Sequence, residues 1–385
     1  LDVTAAKANS QIVAADAGPR DHLGPVAVWL FVCCVLIFFM VVVGGITRLT
    51  LSGLSITEWQ PVVGIVPPLS AADWVAEFAK YQLIPEYRLV HYGMTLDEFK
   101  SIYWWEYAHR LLGRLIGIAF AGPFVWFLVR GKLPRRLVAP LCGILLLGCA
   151  QGGLGWYMVE SGLADRIEVS QYRLVAHLAL ALAIYAAILG VALGIVREPP
   201  RSVQRIPRDV KHRRSIITLV DPGWGWRRAA DAVLILVALT ILAGGFVAGT
   251  RAGLTYNTFP LMDGRLVPEG YTQLRPFVLN WFENIAAVQF DHRLLAVATA
   301  IVILLVWVAG WRAVLPRSAR TALHGLLAVG LLQVALGIAT LVLVVPIPLA
   351  AAHQAGAVLL LTAAINLRHT MRKVAAMDEK ELAPI

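Results

Sequence analysis

Four histidines, His109, His177, His292 and His353, stand near the starts of long apolar runs. An ionisable side chain surrounded by hydrocarbon is costly, so such residues usually mark a working site. Imidazoles facing each other across helices hold haem iron from both sides. Two of these histidines fall in each half of the chain, which predicts two copies of one haem-binding unit. The remaining histidines form no such set: His22, His91, His212 and His369 lie in loops or at span ends, and His324 lies near the opposite end of its run. Zinc fits the pattern less well, because no cysteine or further carboxylate completes a tetrahedral set in the second half.

The elements that must carry these residues are membrane spans. The chain has 385 residues, 58% hydrophobic and 15% charged, with a mean hydropathy of +0.70. Soluble globular chains carry about 25% charged residues. Runs of about 20 apolar residues suffice to cross a bilayer. They occur near 26–46, 108–129, 137–159, 171–195, 230–249, 286–310, 321–345 and 350–368. The first is too long for a cleavable signal, and no small-residue cleavage site follows it. The fold expected is an all-α integral membrane protein, with eight transmembrane helices arranged as two pseudo-symmetric four-helix bundles.

The net charge of +10 follows the membrane, not a nucleic acid. Basic residues gather in alternate loops, as in Arg130, Lys132, Arg135 and Arg136, in the stretch from Arg197 to Arg228, in Arg312, Arg317 and Arg320, and in Arg368, Arg372 and Lys373. By the positive-inside rule both termini are cytoplasmic, and the histidines lie toward the outer face. All four are expected within about two turns, on the order of 10 Å, of the outer ends of their helices. Cys33, Cys34, Cys142 and Cys149 all fall inside spans and read as small apolar core residues, so no disulfide framework is expected.

The halves resemble each other. Gly44-Gly45 matches Gly244-Gly245, and each is followed by a Gly-Leu step, Gly53-Leu54 and Gly253-Leu254. Glu106-Tyr107-Ala108-His109-Arg110 matches Gln289-Phe290-Asp291-His292-Arg293, and the glutamine and glycine of Gln151–Gly155 match those of Gln333–Gly337. Features recurring in one order indicate duplication. The division expected is 1–196 for an N-terminal four-helix half with a long outer loop, 197–229 for a basic cytoplasmic linker, and 230–385 for a C-terminal half.

The two sites differ in chemistry. Glu106 shares a helix face with His109, whereas its counterpart is the neutral Gln289. Arg114 and Arg173 correspond to Val297 and Leu349. A carboxylate beside an iron centre can move protons or stabilise developing charge, and it can equally form an ion pair with Arg110. Arg110 and Arg293 suit recognition of propionates, or snorkelling at the interface. The loop around Trp59-Gln60-Pro61 and the one around Tyr256 are expected to roof the sites.

Several of these motifs together resemble the haem A synthase family. They are Gly44–Thr50, Ser52–Ser55, Glu106–Arg110, Tyr256–Met262 and His353–Ala357, and the likeness covers about 25–370. The chain looks like the proteobacterial and mitochondrial branch, not the branch with a cysteine pair in an outer loop. The resemblance implies oxidation of the C8 methyl of haem O to the formyl group of haem A, for terminal oxidases. It implies that His292 and His353 ligate a resident haem b, that His109 and His177 hold the substrate haem O, and that Glu106 is catalytic or positioning. It also implies a bacterial cytoplasmic membrane in preference to a mitochondrial one, hand-over from haem O synthase, and an electron donor that the sequence does not identify. The alternative is a di-haem electron-transfer protein of cytochrome b type. Such proteins usually place haems toward both membrane faces, whereas here all four histidines lie toward one.

Overall fold

The computed structural model describes residues 23–58, 63–165, 169–197, 224–313 and 315–382. Within them the chain is helical and has no strand; one isolated bridge joins Met262 and Arg265. The main helices are α1 (Gly24–Leu49), α2 (Ala71–Tyr81), α3 (Pro85–Leu89), α4 (Leu96–Val129), α5 (Arg135–Asp165), α6 (Gln171–Arg197), α7 (Trp224–Gly249), α8 (Ile285–Arg312), α9 (Arg317–Val342) and α10 (Ile347–Leu382). Of these, 8 are long and apolar enough to cross a membrane: all except α2 and α3. Trp59, Gln60 and Pro61 of the expected roof, and most of the basic linker, lie outside the described residues.

Local chemistry sets the helix ends. Pro25 opens α1 with a fixed φ and no donor to satisfy. Ser70 and Asp73 cap each other's backbone N–H at the start of α2, and Thr95 and Glu98 do so at α4. The Asn284 side chain accepts from Ala286 N at 3.0 Å and from Ala287 N at 3.4 Å, which starts α8. The capping box at Thr95 explains a difference from the expected span. α4 begins a full three turns before its apolar run, so His109 lies about 20 Å along the axis from the start of the helix, at 1.5 Å per residue. The expected depth of about two turns therefore fails for His109, because α4 extends past the apolar zone. His177, His292 and His353 keep it, each about 10 Å or less from the start of its helix.

Packing repeats between the halves. α1 lies against α4 and α6, and α5 against α4 and α6; in the other half α7 lies against α8 and α10, and α9 against α8 and α10. The halves meet through α6 on α7, α1 on α10, and α6 on α10. Tyr185 on α6 and Thr362 on α10 share a hydroxyl hydrogen bond of 2.7 Å across this seam. Near the loop end, Gln354 Nε2 donates to Val41 O at 2.8 Å, and Arg48 Nη2 donates to Gly249 O at 3.2 Å. Cys33 and Cys34 are buried in the seam core as expected. Cys142 and Cys149 are exposed on α5, facing outward where lipid packs, so they are not core residues.

A small aromatic unit stands above α4. Trp74 on α2 meets Tyr103 at 5.0 Å and Trp104 at 5.7 Å, while Tyr81 and Phe99 pack at 5.2 Å. Tyr81 and His91 Nδ1 are 2.6 Å apart. Burial and then the charge of Arg251 hold His91 below the ordinary imidazole range. Burial likewise suppresses ionisation of Tyr81, so the two share one proton between the phenol oxygen and Nδ1 as neutral groups.

Candidate functional site: two histidine pairs on glycine

Each of the four histidines rests on a glycine of a neighbouring helix. A Cβ at Gly44 would lie 3.1 Å from His109 Nε2, and one at Gly155 would lie 3.2 Å from His177 Cε1. In the other half, a Cβ at Gly244 would lie 3.0 Å from His292 Cε1, and one at Gly337 would lie 2.9 Å from His353 Cε1. Any larger residue would push the imidazole away. The second glycine of each Gly-Gly step serves the seam: Gly45 faces Gln354, and Gly245 faces Val175 and Leu178. The step thus combines two close approaches, one to a histidine and one to the other half.

The pairing runs within each half. The helices of His109 and His177, α4 and α6, both pack on α1 and α5, and those of His292 and His353, α8 and α10, both pack on α7 and α9. Among the described residues, no group of three or more His, Cys, Asp or Glu side chains gathers round one point. That donor set does not suit a bare metal ion. It suits an iron that brings four equatorial nitrogens of its own and needs only two axial imidazoles. The outer contacts of the rings fit this too. His292 Nδ1 lies 3.1 Å from Thr240 O, a hydrogen bond that leaves Nε2 as the ligand atom. Gln333 Nε2 donates to His353 O at 3.0 Å, and Gln151 Nε2 donates to His177 O at 3.1 Å, so equivalent glutamines fix equivalent helix turns. His177 Nδ1 is buried and has no hydrogen-bond partner.

Glu106 and Arg110 form a clamp, and Gln289 and Arg293 repeat it. Glu106 is 2% exposed. One carboxylate oxygen accepts from Arg110 at 2.6 and 3.0 Å, and the other accepts from Ser55 Oγ and Ile56 N, both at 2.7 Å. Arg110 also donates to Ile56 O at 2.7 Å and to Glu58 O at 2.9 Å. In the other half, Arg293 donates to Tyr256 O, to Thr258 O at 2.9 Å and to Gln289 Oε1 at 3.2 Å, while Gln289 Nε2 donates to Ala252 O at 2.9 Å. Each arginine thus ties down the loop that follows the first helix of its half. Both guanidinium groups bind loop carbonyls, while Arg293 Nε has no hydrogen-bond partner.

The structure also places Arg173. It stacks over Tyr157 at 4.6 Å and donates to that hydroxyl at 3.3 Å, one turn before His177. The sequence reading missed the glycine seats and the loop clamps. Both had a signal: the Gly-Gly steps and the carbonyl-bearing loop positions sit at one constant offset between the halves. Leu51 and Arg251, at that same offset, share a left-handed backbone with φ of 53° and 55°.

The seats make a testable prediction. Gly337→Ala is expected to keep the helices, since alanine favours helix over glycine, yet to lower the haem retained by the purified protein by displacing His353. Visible absorbance per chain checks this; an undiminished Soret band in the variant contradicts the seat.

These features define a multi-pass helical membrane protein with one pair of half-buried, glycine-seated histidines in each half. A family model described as cytochrome oxidase assembly protein, COX15-CtaA, matches residues 27–365. A heme A synthase of Nitrosospira multiformis is 53% identical over 350 residues, covering 91% of this chain and 94% of the relative. Another from Rhodospirillum centenum is 50% identical over 359 residues, covering 92% and 91%. The chain belongs to the COX15-CtaA family.

Proposed function

We propose that this chain is a haem A synthase that oxidises haem O to haem A, using the two histidine pairs for different tasks. The family membership supports the activity, and the asymmetry of the two sites supports the division of labour. His109 and His177 are assigned to substrate haem O, and His292 and His353 to a resident haem b. The N-terminal pair lies beside a buried carboxylate and its arginine. The C-terminal pair has a neutral glutamine at the same place and a hydrogen-bonded His292 ring, which suits a cofactor that stays. The iron porphyrins, when bound, supply the redox chemistry that turns a methyl into a formyl group.

The chain's own residues do the rest. The histidines would hold the haem irons. The clamps of Glu106 with Arg110, and of Gln289 with Arg293, hold loops 52–58 and 252–258 across the histidine end, where they exclude water. Glu106 is proposed as a positioning group whose charge also faces the substrate half. Both termini are proposed to be cytoplasmic, in a bacterial inner membrane, with the histidine end outward. The division into halves at 1–196 and 230–385 is proposed on the repeated packing of the described helices, with α7 beginning at Trp224, inside the stretch read as linker. An electron-transfer role alone is disfavoured, because all four histidines sit at one end of the bundle.

The test is chemical. Purified protein given haem O, a reductant and air should yield haem A on pigment extraction. Recovery of haem O alone, from protein that retains its bound haem, would overturn the proposal.

A further inference from the structure

The C-terminal half carries a cavity far from the four paired histidines. A cavity of about 440 Å³ opens between the start of α9 and α10. Along α10, Asn366 lies about 20 Å from His353 at 1.5 Å per residue, so this is the opposite end of the bundle. The lining changes character with depth. Arg317, Ser318 and Thr321, on the first turns of α9, and Asn366 on α10 form the rim. Deeper in, the wall is Gly325 and Leu326. A Cβ at Gly325 would meet nothing within 4 Å, so the space reaches the helix backbone there.

We infer that this cavity binds one anionic phospholipid of the leaflet it faces. Its phosphate would lie against Arg317 and Ser318, and one acyl chain would enter along Gly325 and Leu326. Three observations carry this. The order of the lining, polar at the span end and apolar toward the middle, is the order of groups in a phospholipid. The rim carries the positive charge: Arg317 is exposed, Arg312 and Arg320 are close in sequence, and Arg368 on α10 already pairs with Asp231. The hydroxyl hydrogen of Thr321 is spent on Arg317 O at 3.0 Å, which leaves its oxygen to accept from a head-group hydroxyl such as phosphatidylglycerol carries. The basic part of the rim recurs in the other half, where Arg135 and Arg136 stand at the positions of Arg317 and Ser318, whereas Ala139 and Gly190 replace Thr321 and Asn366. A free phosphate would use the rim and leave the apolar wall unmatched. The inference needs only the membrane spans, not the haem reading.

Native mass spectrometry of the purified full chain, with phosphatidylglycerol and phosphatidylcholine of identical acyl chains, tests it. Wild type is expected to retain phosphatidylglycerol preferentially. Arg317→Ala, at an exposed position, should lower that retention about fivefold, the weight of one basic side chain at an anionic surface. Gly325→Leu projects into the cavity and should lower retention of both lipids, whereas Gly325→Ala should not. Equal retention of the two lipids by wild type overturns the inference. So does retention that neither Arg317→Ala nor Gly325→Leu changes. Displacement of phosphatidylglycerol by inorganic phosphate, equally in wild type and Gly325→Leu, would assign a phosphate site and overturn the lipid.

Discussion

Glu106→Ala is expected to destabilise the protein by about 3–5 kcal/mol, the range for removing one partner of a buried ion pair. The side chains of Arg110 and Glu106 are only 11% and 3% exposed, so the arginine would be left charged with little water to replace its partner. Ser55 Oγ and Ile56 N would lose their acceptor as well. Glu106→Gln is a different experiment. It places at 106 the residue that faces Arg293 in the other half and keeps an oxygen for Arg110, while its amide NH2 cannot accept from Ile56 N as the carboxylate does. Its cost in stability should be well under half that of the alanine variant, with the bound haem retained. Haem A formation should nevertheless fall, because the negative charge of the substrate half is gone. Chemical denaturation in detergent and proteolysis of the 52–58 loop measure the first effect, and pigment extraction the second. Wild-type stability of the alanine variant would show that the Glu106 clamp does not hold the loop.

His353→Ala is expected to remove most of the low-spin haem from the purified protein. The ring it deletes is seated on Gly337 and backed by Gln333, and its partner His292 is held by Thr240. A six-coordinate iron that loses one of two axial imidazoles changes spin state and binds more weakly. His292→Ala should behave alike. Haem content per chain and the visible spectrum report both; full content with an unchanged spectrum in either variant would remove the C-terminal pair from the assignment.

Much of this architecture is legible in the residues. Long apolar runs are unmistakable, because nothing else needs so many uncharged residues in a row. The four histidines stand out for the converse reason. What escaped is where partners meet. Glu106 and Arg110 are visible as neighbours on one helix face, but their shared object, the backbone of Ile56 and Glu58, depends on how the loop folds back. Arg173 is visible by its spacing from His177, but the face of Tyr157 on which it stacks, one helix away, is not. Gly44, Gly155, Gly244 and Gly337 read as repeat markers; only packing shows that each one is where an imidazole touches a neighbouring helix. The early start of α4 was written in Thr95 and Glu98, a local signal masked by the stronger hydropathy of the run that follows.

The central claim is that the two pairs do different work, and His177→Ala tests it most directly. Haem A yield and resident low-spin absorbance are to be measured on the same purified sample supplied with haem O, reductant and air. The account predicts that the variant keeps the resident haem spectrum and makes no haem A. Wild-type haem A yield from His177→Ala, or loss of the resident haem on deleting this N-terminal ligand, would contradict it.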